Sequence, residues 1–157
     1  TGQTAALELL VKTPGCDVNQ ADKDGATSAH AAAFKGHTAA LEVLIEAGCD
    51  VNQAAKNGKT PGIVAAQNGH TAAPESLVEA PGCDGNQAGK DGVTPAHAAA
   101  AQDQAAVLDI LVKAGCDVNQ AAKDGVTPAL IAAQQDHTAA PDILVQAGCD
   151  VNHAQPE

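Results

Sequence analysis

The sequence predicts an all-α solenoid of stacked helix-turn-helix units, and three observations carry that reading. The stretch Gly48-Cys49-Asp50-Val51-Asn52-Gln53 recurs at 15–20, 82–87, 115–120 and 148–153, with Gly85 for Val in one copy and His153 for Gln in another. Its cysteines, at 16, 49, 83, 116 and 149, are 33, 34, 33 and 33 residues apart. A fixed period of this size marks small units piled in a line, not one globular core. The apolar fraction is 45%, yet Phe34 is the single aromatic residue, and Ala dominates with Leu, Val and Ile at intervals. Small side chains suit helices packed closely over a thin, continuous core, where a globular domain would hold several large ones.

Taken in order, residues 1–21 form a half unit. Ala6, Leu7, Leu10 and Val11 recur at i, i+1, i+4 and i+5, one apolar helical stripe, and Pro14-Gly15 ends it. Residues 22–54 give the full pattern. Lys23-Asp24-Gly25 is a turn signal. Thr27 caps a first helix, and Pro61, Pro95 and Pro128 stand at the position of Ser28, where Pro opens a helix without orphaning a donor. Ala29, Ala32 and Ala33 make the buried side. Gly36-His37 breaks to a second helix with the stripe Ala40, Leu41, Leu44 and Ile45, which Gly48 closes.

These residues resemble the ankyrin repeat. Asp24-Gly25-Ala26-Thr27-Ser28-Ala29-His30, Ala32-Ala33, Gly36-His37 and Gly48-Cys49-Asp50-Val51-Asn52 follow the family's turn, T-P-L-H-x-A-A, G-H and G-A-D-V-N. The match recurs in register over nearly the whole chain. Ala29, Gly62, Ala96 and Ala129 replace the family's Leu, and Cys replaces its Ala. The resemblance implies an ankyrin-repeat solenoid with β-hairpin tips. We expect a single domain over 1–157, with full repeats at 22–54, 55–88, 89–121 and 122–154 and a tail at 155–157.

Residues 55–88 are the poorest unit. Gly62-Ile63 replaces Leu-His, Pro74 falls in the first turn of the second helix, Ser76 replaces Val43, Pro81 is inserted and Gly85 replaces Val51. In a stack whose units touch only neighbours, this unit is expected to open first. Residues 89–121 recover the pattern with Asp103-Gln104 for Gly-His. Residues 122–154 carry Leu130 at the His position and Pro141 to match Pro74. The tail His153-Ala154-Gln155-Pro156-Glu157 carries no polar capping helix. Leu7 and Leu10 lack a first helix beside them, and Leu144 and Val145 lack a next unit, so either the parent protein is longer or the ends stack on other molecules. The chain does not open with Met, so a processed product, a fragment or an engineered piece is expected.

Charge narrows the partners. The net charge of -11 comes from 19 acids against eight lysines with no arginine, so nucleic acid, which needs a basic face, is not the expected partner. No long apolar run or signal peptide is present, and no membrane association is expected. Equivalent cysteines in stacked units should lie roughly 8–10 Å apart, beyond the roughly 7 Å that a disulfide spans. Five reduced thiols and an intracellular, reducing compartment, the cytoplasm first, follow. Spacings of 33 do not converge on a metal, and the cysteines read as small hydrophobes. The Asp ladder at 17, 50, 84, 117 and 150 lacks a calcium-binding loop and reads as turn chemistry. No nucleophile–base pair or phosphate loop is present, so no catalytic residue and no cofactor is expected. For His30 and His97 the resemblance implies a structural role tying units together. His37, His70 and His137 read as helix-start residues.

Lys23, Lys56, Lys59, Lys90 and Lys123 fall at or beside the tips, and Lys35 ends a first helix. Glu8, Glu42, Glu46, Glu75, Glu79, Asp109 and Asp142 fall on second helices, which the resemblance places on the convex back. The resemblance puts Phe34 at the groove, with Gln67, Ala101 and Gln134 as its equivalents, and there it is either a contact for a partner or packed against the neighbouring tip. It implies a non-enzymatic module that binds another protein through its tips and first-helix face. The expected contacts are Lys23, Asp24, Ala26, Phe34, Lys35, Lys56, Asn57, Lys59, Gln67, Asn68, Lys90, Asp91, Val93, Gln102, Lys123, Asp124, Val126, Gln134 and Gln135. End-to-end self-association is a further expectation. The alternative is a structural scaffold, or an engineered near-consensus array with no selected natural target, which the close identity between units favours.

Overall fold

The first helix of each repeat begins at a Thr cap. The computed structural model describes residues 2–150 and contains, among them, nine helices and no strand. These are α1 (Gly2–Val11), α2 (Ser28–Lys35), α3 (Thr38–Glu46), α4 (Pro61–Asn68), α5 (Ala72–Val78), α6 (Pro95–Ala100), α7 (Ala105–Lys113), α8 (Pro128–Gln134) and α9 (Ala139–Gln146). The Thr60, Thr94 and Thr127 hydroxyls accept from the N–H groups of Ile63, His97 and Leu130 at 3.3, 3.4 and 3.3 Å. Each satisfies a donor that the first turn would otherwise orphan. Pro74 and Pro141 do fall in first turns, and α5 is the shorter for it, with 7 residues against 9 in α3 and α7. The tail, with Val151 and Asn152 of the last recurrence, lies outside the described residues.

The helices form two layers. Helices α2, α4, α6 and α8 pack in sequence along one layer, α1, α3, α5, α7 and α9 along the other, and each pair α2–α3, α4–α5, α6–α7 and α8–α9 packs across. The first-helix layer is built on small residues, with Ala29, Ala33, Ala65, Ala66, Ala99 and Ala132 almost fully buried. The second layer supplies the bulk. Leu41, Leu44, Leu77, Leu108, Leu111 and Leu144 are each at most 2% exposed. Burial of such a side chain contributes about 1.5–3 kcal/mol.

The core divides in two. One cluster joins α2, α3, Ala65 of α4 and Leu77 of α5. The other joins Ile63 and Ala66 of α4 to α6, α7, α8 and α9. The seam therefore runs through the pair α4–α5, the stretch that departs most from the repeat. A cavity of about 20 Å³ lies there, lined by Gly62, Pro74, Leu77, Val78, Gly85 and Leu111 among others. Gly85 stands where Val51 and Val118 fill the core, 6% and 5% exposed. Cys116 Sγ occupies the place a Cβ on Gly85 would take.

The turn sequence links each pair to the next. Asp17, Asp50, Asp84 and Asp117 accept, through Oδ1, the N–H groups of Asn19, Asn52, Asn86 and Asn119 at 2.8–2.9 Å. Each Asn Oδ1 then accepts the N–H of the following unit's Asp50, Asp84, Asp117 or Asp150, at 2.6–2.9 Å. The Asp ladder is thus turn chemistry, and the Asn side chains carry it across the stack.

Candidate functional site

The expected β-hairpin tips are tight turns without strands among the described residues. Each closes with two backbone bonds: Asp22, Ala55, Gly89 and Ala122 donate to the carbonyls of Ala26, Lys59, Val93 and Val126 at 2.8–2.9 Å, and their own carbonyls accept from Gly25, Gly58, Gly92 and Gly125 at 2.8–3.1 Å. The tips are thus too short to add a strand ladder. Lys56 N–H donates to Asp24 O at 2.8 Å and Lys123 N–H to Asp91 O at 2.9 Å, which joins the tips in two couples. Between the couples, glycines meet instead. A methyl group on Gly58, whose φ is +82°, would stand 2.5 Å from Lys90 N, and one on Gly89 2.5 Å from Gly58 O. With the backbone held in this way, side chains at the tips point outward at little cost in order.

The structure exposes most of the expected contacts. Lys23, Asp24, Lys35, Lys56, Asn57, Gln67, Asn68, Lys90, Asp91, Gln102, Lys123, Asp124, Gln134 and Gln135 are exposed, whereas Ala26, Lys59, Val93 and Val126 are half-buried. Phe34 is 59% exposed and does not pack away against a tip. Several polar members are already engaged: Lys59 Nζ donates to Gln67 Oε1 at 2.6 Å, and Asn68 Nδ2 to Val64 O at 2.7 Å. The residues are spread along a row and do not converge on one centre. Five of them do meet. Ala26, Phe34, Lys35, Asn57 and Lys59 line a hollow of about 320 Å³ between α2, α4 and the first two tips, with Ala31, Ala55 and Val64.

Sequence reasoning missed Asp22 and Asp103. Asp22 lines the hollow, and its Oδ1 accepts from Asp24 N–H at 2.8 Å and Ala26 N–H at 2.9 Å. Those two backbone donors hold its carboxyl below the usual range. Asp103, left-handed at φ 51°, accepts from Ala140 N–H at 2.8 Å and so caps α9 from the preceding pair. The available signal was local: each is an acid where the other units carry Ala or Gly, or another acid at 136.

Two buried histidines fix the tips to the helices. His30 Nδ1 accepts from Thr27 N–H at 3.1 Å, and Nε2–H donates to Lys59 O at 3.0 Å. His97 repeats this with Thr94 N–H at 3.2 Å and Val126 O at 3.0 Å. The Thr27 and Thr94 hydroxyls lie 2.9 and 2.7 Å from the same Nδ1 atoms. This network requires the neutral Nε2–H tautomer. Burial accordingly pushes both rings below their ordinary value, against the carbonyl bonds and nearby Asp22 or Asp124, which favour the charged form. Ile63 and Leu130 cannot make the tie, so none crosses from α4 to the third tip. His70 and His137, just before their helices, add a second link through Nε2 to Phe34 O and Ala101 O at 3.1 and 3.2 Å.

Charge is divided between faces. Glu8, Glu42, Glu46, Glu75, Glu79 and Asp142 are exposed on the second-helix layer, where Lys113 pairs with Asp109 at 2.6 Å. Such an exposed i,i+4 pair contributes only about 0.3–0.5 kcal/mol. Cys16 is exposed and the other four thiols are half-buried and unpaired. Burial raises Cys49, Cys116 and Cys149, and pushes Cys83 up to about 11, with Cys116 and Asp84 adding to it. No group of three His, Cys, Asp or Glu side chains suited to a metal is found among the described residues. Nor is any helix among them long and apolar enough to cross a membrane.

Comparison with known proteins agrees with this architecture. A family model described as ankyrin repeats (3 copies) matches residues 1–89 and again 74–155. No curated protein matches the chain. Ankyrin repeats generally mediate protein–protein interaction and are typically non-enzymatic. With the period, the two helical layers and the family match in agreement, the chain belongs to the ankyrin-repeat family.

Proposed function

We propose that the chain is a non-enzymatic module that binds a partner protein through its tips and first-helix face. The observation that carries this reading is the separation of surfaces. Phe34 and the tip lysines project from a hydrogen-bonded frame, while acids cover the opposite layer. Reading 1–157 as one domain, with units at 1–21, 22–54, 55–88, 89–121 and 122–154, follows from the recurrent turns. Free thiols support a reducing compartment. The mixed tips and acidic back disfavour nucleic acid. Leu9 and Leu10 on α1, 73% and 62% exposed, and Val145 on α9 support end-to-end association at high concentration.

The test is affinity capture from cell extract with two charge-reversed variants. Lys23, Lys56, Lys90 and Lys123 become Glu in one, and Glu42, Glu46 and Glu79 become Lys in the other. The proposal expects the first to lose specifically captured proteins and the second to keep them; the opposite pattern contradicts it. A scaffold with no selected target is the second reading, favoured by the identical Lys-Asp-Gly at 23–25, 90–92 and 123–125. Capture of no specific protein by the parent chain would support that reading.

A further inference from the structure

The hollow between α2, α4 and the first two tips is where the array departs from its own repeat. Phe34 stands where other units carry Gln67, Ala101 and Gln134, and Lys35 where they carry Asn68, Gln102 and Gln135. Lys59 replaces Ala26, Val93 and Val126, and Asn57 replaces Asp24, Asp91 and Asp124. These four departures come from two units, far apart in sequence, and all four residues line one hollow. The second tip thereby loses an acid and gains a base, so it carries Lys56 and Lys59 with no carboxylate of its own. Asp22 is the acid that lines the hollow, and two backbone N–H groups already hold its carboxylate.

Resting on the protein-binding reading above, we propose that this hollow takes an acidic peptide segment. A large apolar side chain of that segment seats against Phe34, with carboxylates beside it meeting Lys35 and Lys59. The walls are apolar where the anchor would sit, at Ala31, Phe34, Ala55 and Val64. Its volume, about 320 Å³, is at the low end of ligand sites, which run roughly 300–1,000 Å³. That suits one or two side chains of a segment. The backbone that carries the aromatic is held, because Phe34 O accepts from His70 Nε2–H at 3.1 Å. Lys59 Nζ keeps donors to spare after its bond to Gln67, and Gln67 is neutral, so the charge is not cancelled. An aromatic flanked by Lys35 and Lys59, with Asp22 the one acid among the lining residues, favours a partner segment of opposite sign here.

The experiment is selection of a phage-displayed random dodecapeptide library on the folded chain, followed by titration of the enriched peptides. The expected peptides carry Leu, Phe or Trp flanked by Asp or Glu. Their affinity falls about tenfold or more in Phe34→Ala and also in the double variant Asn57→Asp, Lys59→Val, which restores the repeat. It also weakens with added salt. Phe34 is exposed, so thermal melting should show both variants folded. Basic or neutral enriched peptides, no enrichment, or affinities unchanged in both variants overturn the proposal. If binding is instead lost in Asp91→Lys and Asp124→Lys, the hollow is wrong and the protein-binding reading stands. If only Glu42→Lys and Glu79→Lys reduce it, both fall.

Discussion

His30 and His97 show how one side chain serves capping, inter-unit bonding and pH response together. In the native state each ring accepts at Nδ1 and donates at Nε2, so a second proton at Nδ1 would face Thr27 or Thr94 N–H. Their native pKa lies below the ordinary 6.5, so above that value both folded and unfolded chains hold the ring neutral. As pH falls through 6.5 the unfolded chain binds protons first, and stability is lost until the native rings titrate in turn. We expect urea midpoints to drop between pH 7.5 and 5.5, and a His30→Leu, His97→Leu variant to show a smaller drop. At pH 7.5 His97→Leu alone should cost about 1–3 kcal/mol, because Thr94 N–H and Val126 O lose a buried partner. The thiols give a second residue-level test. The thiolate reacts, so alkylation followed by mass spectrometry should label exposed Cys16 first and Cys83, held near 11, last. The tie at His30 and His97 was implied by the resemblance of their motifs to the ankyrin repeat. Asp22 and Asp103 were not, because an exposed acid in a turn gives no sign of which backbone donors it meets until the chain folds.

At the scale of the element, the pair α4–α5 is the weak one, and its defects have separate remedies. Gly62 lies inside α4 with ordinary backbone angles, and a Cβ there would meet Pro95 Cγ at 3.5 Å, an ordinary contact. Gly62→Ala should therefore stabilise by about 0.5–1 kcal/mol. For a chain of this size that raises the melting temperature by about 1–4 °C. Gly85→Val should not help alone, because Cys116 Sγ stands in its way. Combined with Cys116→Ala it should fill the cavity, with a coupling of about 0.5–3 kcal/mol in a double-mutant cycle by urea melts. Additive effects would show that the two sites do not share that space. Native-state hydrogen exchange should find the lowest opening energy in α4 and α5, with α3 and α7 better protected; uniform protection would contradict the divided core. The poor unit was readable from Gly62, Ile63, Pro74 and Gly85. The division of the core through α4 was not, since Ala65 and Ala66 are adjacent in sequence yet belong to different clusters.

The whole molecule follows from units that cannot bury their apolar stripes alone. The period of 33–34 residues was enough to establish the line of stacked pairs. The hollow at Phe34 was not readable from the period, because its lining comes from residues 22 to 64 and depends on how closely the first two tips approach. The net charge of -11 also misdescribes the surface, since acids crowd the second-helix layer while the tips mix lysines with Asp22, Asp24, Asp91 and Asp124. The central claim is that the tips and first-helix layer, not the acidic back, are the working surface. Hydrogen exchange of the chain alone and with a captured or selected partner tests it most directly. The account predicts slowed exchange at 22–35, 55–68 and the later tips, with α3, α5, α7 and α9 unchanged. Protection confined to those four second helices would contradict it.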